Sequence, residues 1–378
     1  MIVDRGRLEG GTWNVERDET TGTGPPASEP PGQGLPLVGL KVIDFSELAP
    51  GPFLTRCLRD LGAEIDKVER PARDGALSTH PGTYRVLNDG KRIHVLDLKT
   101  PDGLARAAEL VAGADVLVEG FRPGVMDRLG LGYGTLAERH PGLVYVSISG
   151  FGQEGPLSRI PGHDLNYLAA SGLLGLMGEL DGPPALGVGA PVGDLLGAVY
   201  ALSSTLIALL TRKDTGRGRH LDVSITDCLT HGMNMVIGQL QADGRASLRE
   251  AREAVFTRPA YGVFETADGE YLSIAALEEH FWQRTVAALD LDLSGLDTAT
   301  LGDRRRNTRE INARIAAAVR GRDVKSLTET LEAADVPVMR VLSPLELADS
   351  PHARERGLFT SAGDIGYVRF PVRIGDEA

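Results

Sequence analysis

Residues 40–68 read LKVIDFSELAPGPFLTRCLRDLGAEIDKV. Leu40 to Phe45 is a short apolar run of the kind that forms a buried strand. Pro50-Gly51-Pro52 opens a helix that runs through Leu61 and stops at Gly62. Proline in the first helical turn and glycine just past the last one is the expected asymmetry. Ala63 to Val68 is a second strand. A strand, a helix and a strand in immediate succession require a crossover, so the two strands lie parallel.

The same alternation continues outward. Strands are expected at His94–Leu98, Val116–Glu119 and Leu143–Ser149, with helices at Asp102–Ala112 and Tyr133–Arg139 between them. The fold class is therefore α/β, a Rossmann-like large domain on a mostly parallel sheet. No G-x-G-x-x-G follows the first strand, which argues against a nicotinamide site. From 164 to 240 the pattern is mostly helical. Leu195–Thr211 is long, apolar and almost uncharged, so burial on most sides is expected, in a large core or a subunit interface. Thr215-Gly216-Arg217-Gly218 ends it. His220–Ile225 reads as a strand, with Thr226 or Asp227 capping the next helix. Gly262 to Ile274 is a hairpin turning at Asp268-Gly269. Helices at Glu279–Leu289, Thr308–Val319 and Val324–Ala334 follow, giving a smaller α+β domain.

These patterns divide the chain into a flexible N-terminal tail (1–36), a large domain (37–225), a linker helix with the small domain (226–345) and a C-terminal segment (346–378). The tail is rich in Gly, Pro, Thr and Glu and has no apolar period. The C-terminal segment is expected to return to the large domain, since an exposed tail has little use for Tyr367-Val368-Arg369-Phe370.

The 378 residues suffice for two or three domains, and 42% are hydrophobic. With 52 acidic and 40 basic residues the formal charge is −12, which argues against broad nucleic-acid or membrane-surface binding. No apolar run reads as a membrane span. Cys57 and Cys228 are too few for a disulfide framework, and no signal pattern opens the chain, so a cytoplasmic protein is expected.

Three groups at the edges of expected helices carry candidate chemistry: His163 in Gly162-His163-Asp164-Leu165-Asn166-Tyr167, Asp194 after Gly193, and Glu278 in Ala276-Leu277-Glu278. A histidine and two carboxylates suit removal of a proton from one face of a carbon and its return to the other, as in epimerisation beside a thioester. Each has a plainer reading. His163 at a helix start either bonds the backbone or acts as a base. Asp194 is either an N-cap, a carboxyl desolvated toward useful acid–base values, or a nucleophile. Glu278 either complements a helix dipole or steadies the imidazolium of His163. Backbone N–H groups near Gly193 or Asp194 are candidates for stabilising an enolate oxygen. Arg70, Lys91, Arg92, Lys99 and Arg122 are candidate partners for the phosphates of coenzyme A, against the alternative of solvated surface charges. The histidines show no metal-ligand spacing, so neither a metal nor a redox cofactor is expected.

Several phrases in one order resemble the family III CoA-transferase and α-methylacyl-CoA racemase superfamily: Leu48-Ala49-Pro50-Gly51-Pro52-Phe53, Leu96-Asp97-Leu98-Lys99, Asp115 to Met126, and Ser149-Gly150-Phe151-Gly152-Gln153. Gly-His-Asp-x-Asn-Tyr at 162–167 is similar to the racemase branch. The resemblance implies His163 and Asp194 as the acid–base pair, with Glu278 supporting His163. It implies coenzyme A, as part of the substrate, contacting Arg70, Leu96, Asp97, Leu98, Lys99, Arg122, Gly162, Asp164, Asn166 and Tyr167. It also implies an interlocked homodimer in which Glu278 reaches His163 across the subunit boundary. This sequence departs from the family pattern at Asp89, where arginine is usual, and at Glu279-His280 after Glu278.

Overall fold

The computed structural model describes residues 34–71, 80–186, 189–362 and 365–374; all but the last three residues of the expected N-terminal tail lie outside this range. Strand β1 (Lys41–Asp44) leads into helix α1 (Pro50–Asp60) and strand β2 (Glu64–Glu69). Pro50 sits in the first turn of α1, and Gly62 leaves the helix at φ +108°. Gly51 is required because a Cβ there would overlap the Ser46 side chain. Helix α2 (Pro81–Asn88), β3 (Arg92–Val95), α3 (Pro101–Ala112), β4 (Val116–Glu119), the short α4 (Val125–Arg128), α5 (Tyr133–Arg139) and β5 (Val144–Ser149) follow. Then come α6 (Asp164–Ala170), α7 (Leu173–Leu176), α8 (Val192–Thr215) and β6 (His220–Ser224). The six strands form one parallel sheet in the order β3-β2-β1-β4-β5-β6. The order reverses between β1 and β4, and in open α/β sheets ligands bind beyond the carboxyl ends of the strands at such a reversal.

The sheet has a core on each side. Val42, Val118, Val146 and Val223 meet Leu54, Ala198 and Leu229 on the α1/α8 face. Ile43, Leu117 and Tyr145 meet Ala107, Val111 and Leu136 on the α3/α5 face. Beyond β6 lie α9 (Ile225–Gly232), α10 (Asn234–Ala242) and α11 (Leu248–Phe256). A three-stranded antiparallel sheet follows, with β8 (Tyr271–Ala275) between β7 (Tyr261–Glu265) and β9 (Val338–Arg340). Its inner face packs on α12 (Glu279–Ala288), α14 (Thr308–Arg320) and α15 (Val324–Ala333) through Leu272, Ile274, Ile311 and Leu327; α13 (Leu301–Arg306) precedes α14. Near the end, α16 (Pro351–Arg356) leads to a hairpin of β10 (Phe359–Ala362) and β11 (Ile365–Val368). There the Tyr367 hydroxyl donates to the Asp89 carboxylate at 3.2 Å, and Arg56 stands 4.3 Å over the tyrosine ring.

Four expectations need correction. The third strand is Arg92–Val95, not His94–Leu98. Leu96 and Leu98 prolong the apolar alternation as loop side chains packed on the α3-side core, while the Asp97 carboxylate accepts the Lys99 N–H at 3.0 Å and turns the chain. The long helix runs Val192–Thr215 with Pro191 at its cap, so Asp194 lies inside the first turn and is not the cap. That helix is also less buried than expected. Gly197, Ala201, Thr205 and Ala208 face inward, where small side chains permit close approach, whereas Val199, Ile207 and Leu210 are exposed. By length and composition α8 could cross a bilayer, although its small-residue face is built into the sheet core. Finally, Ser224, not Thr226 or Asp227, caps α9, its hydroxyl accepting the Asp227 N–H at 3.2 Å.

Candidate active site

His163 is the cap residue of α6. Asn166 accepts the His163 backbone N–H through its side-chain oxygen at 3.0 Å, and the Asn166 N–H bonds the His163 carbonyl at 2.8 Å. The imidazole stays exposed and shares the cap with Asn166 in a capping box.

Tyr167 fixes the approach to α6. Its hydroxyl donates to the Gly162 carbonyl at 2.5 Å, and its ring stands edge-on to Phe151 at 5.3 Å. A Cβ on Gly150 would overlap the ring, and one on Gly162 would come within 2.7 Å of it. Burial pushes the Tyr167 phenol above its ordinary range, with the Asp194 and Asp164 carboxylates adding to the rise.

Asp194 is brought to α6 by one bond across 30 residues: its N–H donates to the Asp164 carboxylate at 3.0 Å. The fit is tight, since a Cβ on Gly193 would meet that carboxylate at 2.9 Å and Leu229 at 3.0 Å. Burial pushes the Asp194 carboxyl up to about 6, the Asp164 charge adds to this, and His163 opposes it. A partly buried carboxyl able to give and take a proton near neutrality therefore stands within electrostatic reach of an exposed imidazole. The same bond removes one expectation, because the Asp194 N–H is spent on Asp164 and is not free for an enolate oxygen.

The sequence match settles the family. Residues 37–378 fit the family described as CoA-transferase family III. This chain belongs to it. Acetyl-CoA:oxalate CoA-transferase of Acetobacter aceti is 33% identical over 90% of this chain and 89% of its own. Alpha-methylacyl-CoA racemase of Homo sapiens is 32% identical over 87% and 83%. The crystal structure of a CAIB/BAIF family protein from Brucella suis superposes with a TM-score of 0.80 at 28% identity, over 91% of this chain and 94% of that one. Family III membership makes the chain an enzyme acting on CoA thioesters. Transferases and racemases stand at similar identity, so kinship alone does not choose between the two reactions.

The cations of this family III chain separate into two kinds. Lys91 is wholly buried and donates to Thr55 at 2.8 Å, to Asn88 at 3.1 Å and to Asp44 at 3.3 Å, so it is a structural residue and not a phosphate contact. Arg92, on the edge strand β3, is likewise occupied, bonding Asp66 at 2.8 Å and Glu64 at 3.0 Å on the neighbouring β2. Arg70 is exposed just beyond β2, 3.4 Å from Glu47, and Lys99 and Arg122 are also exposed. Leu96 to Lys99 follow β3, placing them with Arg70 at the carboxyl ends of the strands.

Glu278 caps α12 and is exposed; among the described residues its carboxylate makes no hydrogen bond or ion pair, and none joins it to His163. One group was not read from the sequence. Glu119, at the end of β4, accepts the Phe121 N–H at 2.8 Å, and burial pushes its carboxyl up to about 7. The neighbouring Ser147 hydroxyl is 3.0 Å from His220 Nε2. With Arg122 and Tyr133 these groups line a cavity of about 230 Å³. The register puts Glu119, Ser147 and His220 on the sheet face away from α8. The available signal was a lone acid closing the apolar run Val116-Leu117-Val118-Glu119. Among the described residues no cluster of three His, Cys, Asp or Glu side chains is arranged to hold a metal.

Proposed function

We propose that this chain is a racemase or epimerase of 2-methylacyl-CoA thioesters, acting in the cytoplasm by two-base proton transfer without a metal or redox cofactor. The observation that carries the reading is the pairing of Asp194, its carboxyl pushed up to about 6 by burial, with the exposed His163 imidazole at the head of α6, the two helices being joined by the bond from the Asp194 N–H to Asp164. The imidazole takes the α-proton; the C–H electron pair moves into the bond to the carbonyl carbon, and the thioester oxygen becomes an enolate. The protonated Asp194 then gives its proton to the opposite face of the α-carbon as the enolate collapses. Imidazolium and carboxylate remain, and exchange with solvent resets them. For the other epimer the roles swap. Each group contributes about 10²–10⁴-fold. The Gly193 N–H, in the first turn of α8 where intrahelical acceptors are missing, is the donor we assign to the enolate oxygen.

Coenzyme A would lie along Arg70, Leu96–Lys99 and Arg122, with its thioester end at Gly162 to Tyr167. Two chains would interlock, so that Glu278 of one steadies His163 of the other. Val263, Tyr271 and Met339, exposed on the small sheet, and Val199, Ile207 and Leu210 on α8 are faces a second chain would cover.

The transferase relatives favour a second reading. The Asp194 carboxylate would attack the thioester carbonyl, expelling coenzyme A thiolate and leaving an aspartyl anhydride. The thiolate would return to the aspartyl carbonyl, release the carboxylate product and form an aspartyl-CoA thioester, which an acceptor acid then reverses. The test is incubation with a single epimer of a 2-methylacyl-CoA in D₂O. Deuterium at C2 and loss of optical purity, both abolished by His163→Ala, are expected. No exchange until a free acid is added, together with an Asp194 adduct trapped by borohydride, overturns the racemase.

A further inference from the structure

The segment after α7 follows α6, which His163 caps, and leads toward α8, which carries Asp194; side chains of α11 hold its first part. Arg252, on α11, is only 4% exposed. Its guanidinium donates to the carbonyls of Gly175 at 2.8 Å, Glu179 at 3.1 Å, Gly182 at 2.6 Å and Met177 at 3.4 Å. It forms no ion pair among the described residues. A buried arginine is ordinarily matched to a carboxylate; here the charge is met by carbonyl dipoles at the carboxyl end of α7 and in the loop after it. The flat fork of five N–H donors suits such divided acceptors, and an ammonium does not.

The loop is shaped around this side chain. The Ala185 N–H closes back on the Met177 carbonyl at 3.2 Å. Gly178 takes φ +108°, and a Cβ there would lie 2.5 Å from the Pro183 carbonyl. Arg249, one turn before Arg252, pairs with Asp181, and Leu248 lies against Gly175. All three contacts tie α11 to the same stretch.

We propose that Arg252 is a positioning residue: by gathering four carbonyls of residues 175–182 it fixes the chain at and just after α7, and through α7 and α6 holds His163 in place against Asp194 on α8. The kinetic part rests on the acid–base reading above; the structural part does not. The arginine touches neither reacting group, so its loss should act on turnover more than on coenzyme A binding. A misplacement of about 1 Å at a reacting group costs about 10²-fold.

The test uses the full chain and its Arg252→Ala and Arg252→Lys variants. In Arg252→Ala, amide hydrogen exchange of peptides within 173–186 should quicken at least about tenfold while the central sheet is unchanged. Turnover in the α-proton exchange assay should fall about 10²-fold with KM altered by less than about threefold, a loss of transition-state and not ground-state interaction. Millimolar guanidinium should restore part of the turnover and of the protection, which a generally destabilised fold would not show. Arg252→Lys, which keeps the charge but not the fork, should show the same defects more mildly and serves if the alanine variant does not fold. Unchanged amide exchange over 173–186 in both variants overturns the proposal, as does turnover unchanged beside a loosened segment. If the wild type exchanges no α-proton, the functional reading falls, and the amide comparison alone upholds or overturns the clamp.

Discussion

Two aspartates in this molecule are driven in opposite directions. Asp44, at the end of β1, is wholly buried, yet its carboxyl is held down to about 2. Burial alone would raise it, but Lys67 at 3.6 Å, Lys91 at 3.3 Å, the Ser46 hydroxyl at 2.5 Å and the Thr55 hydroxyl at 2.6 Å outweigh the desolvation. Asp194 is less buried and is nonetheless pushed up to about 6, because burial raises it, the Asp164 carboxylate adds to the rise, and only His163 opposes it. Degree of burial therefore does not separate a structural acid from a reactive one; the sign of the neighbouring charge does. Asp44 has its charge fully matched and serves to hold the β1–α1 turn, where Lys67 also bonds the Ser46 carbonyl. Asp194 is left able to give and accept a proton near neutral pH.

The sharpest way to break this contrast is to remove each acid in turn. Asp194→Asn should lower α-proton exchange by about 10²–10⁴-fold while the melting temperature holds or rises. A variant that retained full exchange would end the catalytic assignment. Asp44→Asn should instead strip two buried ammonium groups of their counter-charge and cost about 3–5 kcal/mol in urea unfolding.

A smaller effect tests the sign of the Asp194 shift through stability. An acid whose carboxyl is raised in the fold binds more protons folded than unfolded, so its contribution worsens as pH climbs from its ordinary 3.8 to about 6 and is constant above that. Asp194→Asn should thus stabilise the chain by about 1 kcal/mol at pH 8, after allowance for solvent screening, and by almost nothing at pH 3. Equal effects at both pH values would contradict the raised carboxyl. The smallest effect is expected from Asp164→Asn. Its side-chain oxygen can still accept the Asp194 N–H, but the negative charge is gone. The limb of the pH–rate profile belonging to Asp194 should move to lower pH with the maximum rate nearly kept.

Much of this architecture can be read directly from residue order. The β1–α1–β2 unit is legible because its signals are local: an apolar run, proline in the first turn, glycine at the exit. His163 at the head of a helix is legible for the same reason. Elsewhere local signals mislead. Leu96 and Leu98 alternate like a strand because loop side chains also feed the core beneath α3. The run of small residues in α8 looks wholly buried, although only one side meets the sheet. Lys91 looks like a surface cation because its partners, Asp44 and Thr55, lie 47 and 36 residues away. The bond from Asp194 to Asp164 and the reach of Arg252 to the loop after α7 are likewise tertiary facts with no local signature.

Tyr167 has a consequence for anyone who wishes to redesign this protein. Its ring occupies the room that side chains at positions 150 and 162 would otherwise take, and its hydroxyl bonds the carbonyl beside the histidine. The end of β5, the turn before α6 and the first helical turn are thereby tied to the size of one aromatic group. These three positions can be varied usefully only as a set: a library that enlarges either glycine should shrink the ring in the same clone, and one that scans the positions singly will recover mainly the starting residues.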